Sequence, residues 1–190
     1  MKLKLFLLLI IMTVSFIGCS NKNSKNQKVE RFYTKKVKKS SNYSKKSKGN
    51  ELLNLLLEAE KNTIPSGRKV LKMARIMTVE NKEIIRGACW DYINAVFNRA
   101  GFPTKKREII FRGKLKKPPY AKSSLVKGGD WIYHINHSYH GIQHSGLFIK
   151  WLDYKNKIAL MLSYGGEKRN KPARYKSYDL SNIYYIQRAK

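Results

Sequence analysis

Residues 50–190 predict a domain of the α+β class, with helices first and antiparallel strands after. Apolar residues recur at the 3.6-residue period up to about Ala100, and from Glu108 onward short apolar runs bounded by turn residues replace them. Helices and strands that segregate along a chain in this way pack as a helical layer on an antiparallel sheet. No internal repeat interrupts the pattern.

The elements follow in order. Residues 50–61 form an amphipathic helix with Asn50 as N-cap, and Pro65-Ser66-Gly67 ends it. A second helix is expected at about 68–79, burying Val70, Leu71, Ala74 and Met77 or Ile76. The third begins at Cys89, carries Ile93, Val96, Phe97 and Ala100 on one face, and stops at Gly101 and Pro103. Strands are expected at 108–111, 131–133, 143–151, 158–164 and 183–186. Residues 114–120 read as loop, Lys127-Gly128-Gly129-Asp130 as a turn, and 152–157 as a hairpin turn. Gly165-Gly166 closes the 158–164 strand, and the stretch holding Arg174 and Lys176 reads as a solvated basic loop.

The N-terminus is a targeting segment. A short basic region at Lys2 and Lys4 precedes an apolar run over 5–17, which is too short to span a bilayer with ease and ends in small residues. Ser15-Phe16-Ile17-Gly18-Cys19 resembles the lipobox of bacterial lipoproteins. That resemblance implies a signal peptide at 1–18 and lipidation of Cys19, which anchors the protein to a membrane on its extracytoplasmic side. An uncleaved anchor or an ordinary secretory signal is the alternative. Residues 19–49 then form a disordered basic tether: eleven Lys and Arg against Glu30 leave +10. Of the chain's formal +28, about +16 falls on residues 50–190. Export makes an anionic envelope polymer or lipid headgroup the expected partner of this charge, rather than nucleic acid. A solvated spacer is the plainer alternative for the tether.

The chain has two cysteines. If a lipid takes Cys19, Cys89 is left without a disulfide partner in an oxidising compartment, which marks it as a candidate reactive thiol. It opens a helix, where the positive end of the dipole favours the thiolate. Gly87 and Ala88 before it leave room for another group to approach. A buried, inert cysteine is the competing reading.

All four histidines lie close together, at 134, 137, 140 and 144. Zinc held by loop histidines with Cys89 as a further ligand is one reading, although no His-Glu-x-x-His pattern supports it. The other needs only His144, which opens an apolar strand where it can face a thiol on the adjoining helix and take its proton. A hydrogen-bonded core histidine is the plainer alternative for His144.

Cys89 at a helix start, Gly129-Asp130 entering a strand, and His144-Ser145-Gly146 opening another, in that order, resemble the NlpC/P60 branch of the papain-like cysteine hydrolases. The resemblance covers roughly residues 84–164. It implies a papain-like fold and a cysteine peptidase or amidase, often of peptidoglycan stem peptides. Cys89 would attack the carbonyl, with its own amide hydrogen bonding the oxyanion. His144 would act as base and then acid, and a third polar residue, here Ser163, would orient the histidine. The family commonly has Asp before and Ser after its cysteine. Ala88 and Trp90 stand there instead, a departure that bears on specificity and leaves the reaction type intact. Trp90, Trp131 and Tyr164, with Tyr133 and Tyr139, are the candidates for a substrate cleft, although such aromatics also serve as core or rim. No cofactor and no metal is expected, and a monomer is. A catalytically inactive, envelope-binding lipoprotein of the same fold is the alternative function.

Overall fold

The computed structural model describes residues 45–163 and 171–190. Cys19, Tyr164 and the Gly165-Gly166 pair lie outside the described residues, as does the whole predicted signal peptide. Among the described residues three α-helices precede a six-stranded antiparallel sheet, in keeping with the change of period along the chain.

Helix α1 spans Lys45–Lys61, so Asn50 lies inside it and is not its cap. Pro65-Ser66-Gly67 begins α2 (Pro65–Arg75) as well as ending α1, because proline at a first helical position gives up only an amide that has no acceptor there. Five residues of π-helix, Ile76–Glu80, continue α2 and bury Met77. The Arg75 guanidinium bonds the Glu60 carboxylate at 2.6 Å, tying α2 to α1. Helix α3 spans Cys89–Arg99.

The strands are β1 (Arg107–Arg112), β2 (Trp131–Asn136), β3 (Ile142–Asp153), β4 (Ile158–Ser163), β5 (Arg174–Asp179) and β6 (Ile183–Ala189). They lie in the order β1-β6-β2-β3-β4-β5. The predicted basic loop at Arg174 is strand β5 at the sheet edge. Its two large apolar residues, Tyr175 and Tyr178, are three apart and therefore point to opposite faces, so no alternation marks it as a strand.

Each face of the sheet has its own core. Trp131, Leu147, Ile149, Leu160 and Leu162 pack against the helices, with Val70, Ala74, Ile93 and Phe97 among their partners. Ile132, Phe148, Met161, Ile183 and Ile186 face the other way, beneath Val126 and Leu180. This two-sided burial explains why β4 is buried at every position and reads as a continuous apolar run.

The turn into β2 brings helix and sheet together. Gly129 has φ +90°, and a Cβ there would fall 2.6 Å from the Cα of Gly67 on α2. Asp130 behind it is fully buried, accepts the Lys127 amide at 2.8 Å and forms a two-pronged ion pair with Arg188 of β6 at 2.7 and 2.8 Å.

Candidate active site

Cys89 is the first residue of α3. The turn before it is shaped by the helix's own cap: the Asp91 carboxylate accepts the Ala88 amide and fills the space over Gly87. Gly87 has φ +136°, and a side chain there would collide with Asp91. The room left by Gly87 is thus taken by Asp91, which secures the helix start carrying the thiol.

The thiol meets β3. Ser145, on the helix-facing side of the strand, donates its hydroxyl to Sγ at 3.3 Å. Burial raises the thiol's pKa, but the His144 imidazole and the Ser145 hydroxyl and amide outweigh it, bringing the thiol from 9.0 down to about 7. These contacts favour the charged form of sulfur, which is the nucleophile.

His144 sits one residue earlier, on the second face of the sheet. Its Nε2 is 2.6 Å from the Ser163 hydroxyl at the end of β4, and Ser163 is itself buried. With Nε2 engaged by Ser163, Nδ1 is the ring nitrogen left for proton exchange. Of the predicted trio, Ser163 of β4 thus holds His144 of β3 directly, and His144 acts on the Cys89 thiol of α3 by lowering its pKa.

His134 lies directly across the β2–β3 ladder from His144, with ring centroids 5.7 Å apart at 79°. It belongs to strand β2 and not to a loop. Its Nδ1 bonds the Ile135 carbonyl, and Tyr178 packs against both imidazoles. Burial pushes His134 down to about 3, and the neighbouring His144 adds to that shift. A buried neutral histidine disfavours its proton in the fold, so as pH falls the unfolded chain protonates first, near its ordinary value of about 6.5. Stability is therefore lost between about pH 6.5 and 3. Urea unfolding at about pH 7 and 4.5 should show wild type losing about 2.5 kcal/mol more than His134→Leu over that interval. Equal losses would exclude a buried neutral imidazole.

The other two histidines stand apart. His137 bonds Asn182 at 2.6 Å on the surface, and His140 occupies the β2–β3 turn with φ +52°. Among the described residues no group of three or more His, Cys, Asp or Glu is placed to hold a metal ion.

A cleft of about 540 Å³ lies on the helix-facing side, lined by Trp90, Trp131 and Tyr133 as expected, and by Arg107, Arg112 and Tyr184. Tyr139 lies outside it, exposed on the β2–β3 turn. Burial first, and then the charge of Cys89, push the Tyr133 phenol up to about 12, and the same two causes raise Tyr184. Both cleft residues therefore lie within electrostatic range of the thiol. Gln143 also lines the cleft, on the strand face opposite His144. A second cleft, of about 510 Å³, opens between Thr63 and β3, and neither cleft is lined by Cys89 or His144 themselves.

Sequence reasoning missed Ser145 as the partner of the thiol and His134 as the neighbour of His144. A signal for His134 existed: a six-residue strand, a turn around Gly141 and a return strand place residues 134 and 144 opposite each other. No family model matches the chain, and no curated protein is detectably similar to it in sequence.

Proposed function

We propose that this chain is a cysteine hydrolase or transferase of amide bonds with a papain-like domain. In this reading it is exported, held at the cell envelope by a lipid on Cys19, and acts as a peptidase or amidase on peptidoglycan. One arrangement carries the reading: a helix-start thiol bonded by Ser145 and drawn down to about 7 by His144 and Ser145 together, with Nε2 of His144 held by Ser163. A histidine fixed at one nitrogen and free at the other is the arrangement an acid–base partner of a nucleophile needs.

The chemistry follows from those groups. The Cys89 thiolate adds to the amide carbonyl, and the backbone N–H of Cys89, which has no acceptor within its helix, bonds the developing oxyanion. The His144 imidazolium gives its proton to the amide nitrogen, the C–N bond breaks, and the amine leaves an acyl group on sulfur as a thioester. Water or a second amine, deprotonated by His144, then attacks the thioester and returns the thiol. Ser163 touches none of the reacting atoms and positions the base. The strong positive charge draws the domain to an anionic polymer and increases the encounter rate.

The test is to incubate full-length protein in detergent with peptidoglycan fragments, following new amino groups and the mass of the Cys89 peptide. Amine release with an acyl adduct on Cys89 is expected, and Cys89→Ala should lower release on the order of 10³-fold or more. Release that persists in Cys89→Ala would sink the proposal. Salt-sensitive binding to the fragments without any turnover would favour an envelope-binding protein of the same fold.

A further inference from the structure

The cleft beside Cys89 is positively charged in a way its own fold does not balance. Arg107 is nearly buried, and its three nitrogens donate to the Phe102 carbonyl at 2.7 Å, Asn94 Oδ1 at 3.0 Å and Asn98 Oδ1 at 2.7 Å. All three acceptors are neutral. The guanidinium also lies 4.9 Å from the Phe97 ring centre and 5.6 Å from that of Trp131. Ring faces and amide oxygens offset only part of the cost of a buried cation, which is ordinarily paired with an anion. Burial accordingly pulls the Arg107 pKa down, although the group stays charged.

Two further observations point the same way. The indole N–H of Trp131, which walls the cleft and is almost fully buried, has no acceptor among the described residues. A buried donor left unmet costs free energy that a bound acceptor recovers. Arg112, on the same strand as Arg107, stacks on Tyr185 at 5.6 Å and has no ion-pair partner among the described residues. No carboxylate lines the cleft among the described residues.

We infer that this cleft binds a carboxylate carried by a peptide substrate, held by Arg107, Arg112 and the Trp131 indole. The adjoining peptide lies over the aromatic wall toward Cys89. Tyr133 marks the route, because its phenol feels the charge of both Cys89 and Arg107. Three of the five guanidinium N–H groups of Arg107 are used inside the fold, and the two that remain suit the paired oxygens of a carboxylate. The direction toward Cys89 rests on the amide-hydrolase proposal. The charge preference of the cleft does not.

The test uses full-length Cys89→Ala protein, which cannot react, titrated with acetyl-glutamate amide and acetyl-glutamine amide. These probes differ only in the side-chain charge, and tryptophan fluorescence reports on Trp90 and Trp131 in the cleft wall. The glutamate probe should bind about tenfold or more tightly than the glutamine probe, as charge-assisted hydrogen bonds require. Arg107→Gln and Arg112→Gln should each reduce that preference. Arg107 also bonds three residues within the fold, so the exposed Arg112 supplies a variant whose folding is less at stake. Equal affinity for the two probes would overturn the inference, as would a preference unchanged in Arg112→Gln. Inorganic phosphate displacing the glutamate probe at lower concentration than acetate would overturn the assignment to carboxylate. Because the protein lacks its thiol, none of these results depends on whether Cys89 is a nucleophile.

Discussion

Removing the imidazole of His144 should return Cys89 to the reactivity of an ordinary buried thiol. In wild type, iodoacetamide alkylation of the Cys89 peptide, followed by mass spectrometry of the full-length protein, should rise with pH through an inflection at about 7. In His144→Ala the lowering influence of the imidazole is gone, leaving burial, which raises the pKa, against the Ser145 hydroxyl and amide, which lower it. The inflection should then move up to about 9, a displacement that lowers the thiolate fraction at about pH 6 roughly hundredfold. A less acidic thiol yields a more nucleophilic thiolate, so the net rate should fall by about tenfold. Ser163→Ala should shift the inflection in the same direction by a smaller amount, because it loosens His144 without removing it. An inflection that stays at about 7 in His144→Ala would detach the histidine from the thiol and remove the ground for a catalytic pair.

Asp130→Ala should be the most destabilising of the substitutions considered, by about 3–5 kcal/mol in urea unfolding, because it leaves Arg188 uncompensated at a mostly buried site. The loss also strips the Lys127 amide of its acceptor in the turn that Gly129 makes against Gly67. Burial raises the pKa of this carboxyl, yet Arg188 and the Lys127 amide both favour its charge. Replacing both partners, as in Asp130→Asn with Arg188→Met, should cost less than the two single changes summed, because no lone charge is left behind. A single-variant loss below about 1 kcal/mol would show that the pair is solvated and contributes little. The Gly129-Asp130 turn thus supports the site from a distance. It locks the start of β2, the strand that carries Trp131 and Tyr133, to Arg188 at the end of β6.

The sequence by itself determined the α+β class of the fold and the positions of the candidate site residues. Helical period and the Gly101 stop place Cys89 on a first turn, and an apolar run behind His144 makes that residue a strand opener. Ser163 was reachable too, as the polar residue ending the next strand. These are local properties, set by the spacing of neighbours along the chain.

Only the tertiary structure decided which groups share a face and which are buried. His134 reads as a loop residue until the β2–β3 register sets it against His144 and removes it from water. Ser145 looks like a spacer within the His144-Ser145-Gly146 motif, yet strand alternation turns its hydroxyl toward the helix layer and onto the thiol. Arg107 begins an unremarkable basic strand until Phe97, Asn94 and Asn98 close around it and leave a buried cation facing an aromatic wall. Burial and register arise from contacts between residues distant in sequence, and no local period carries that information.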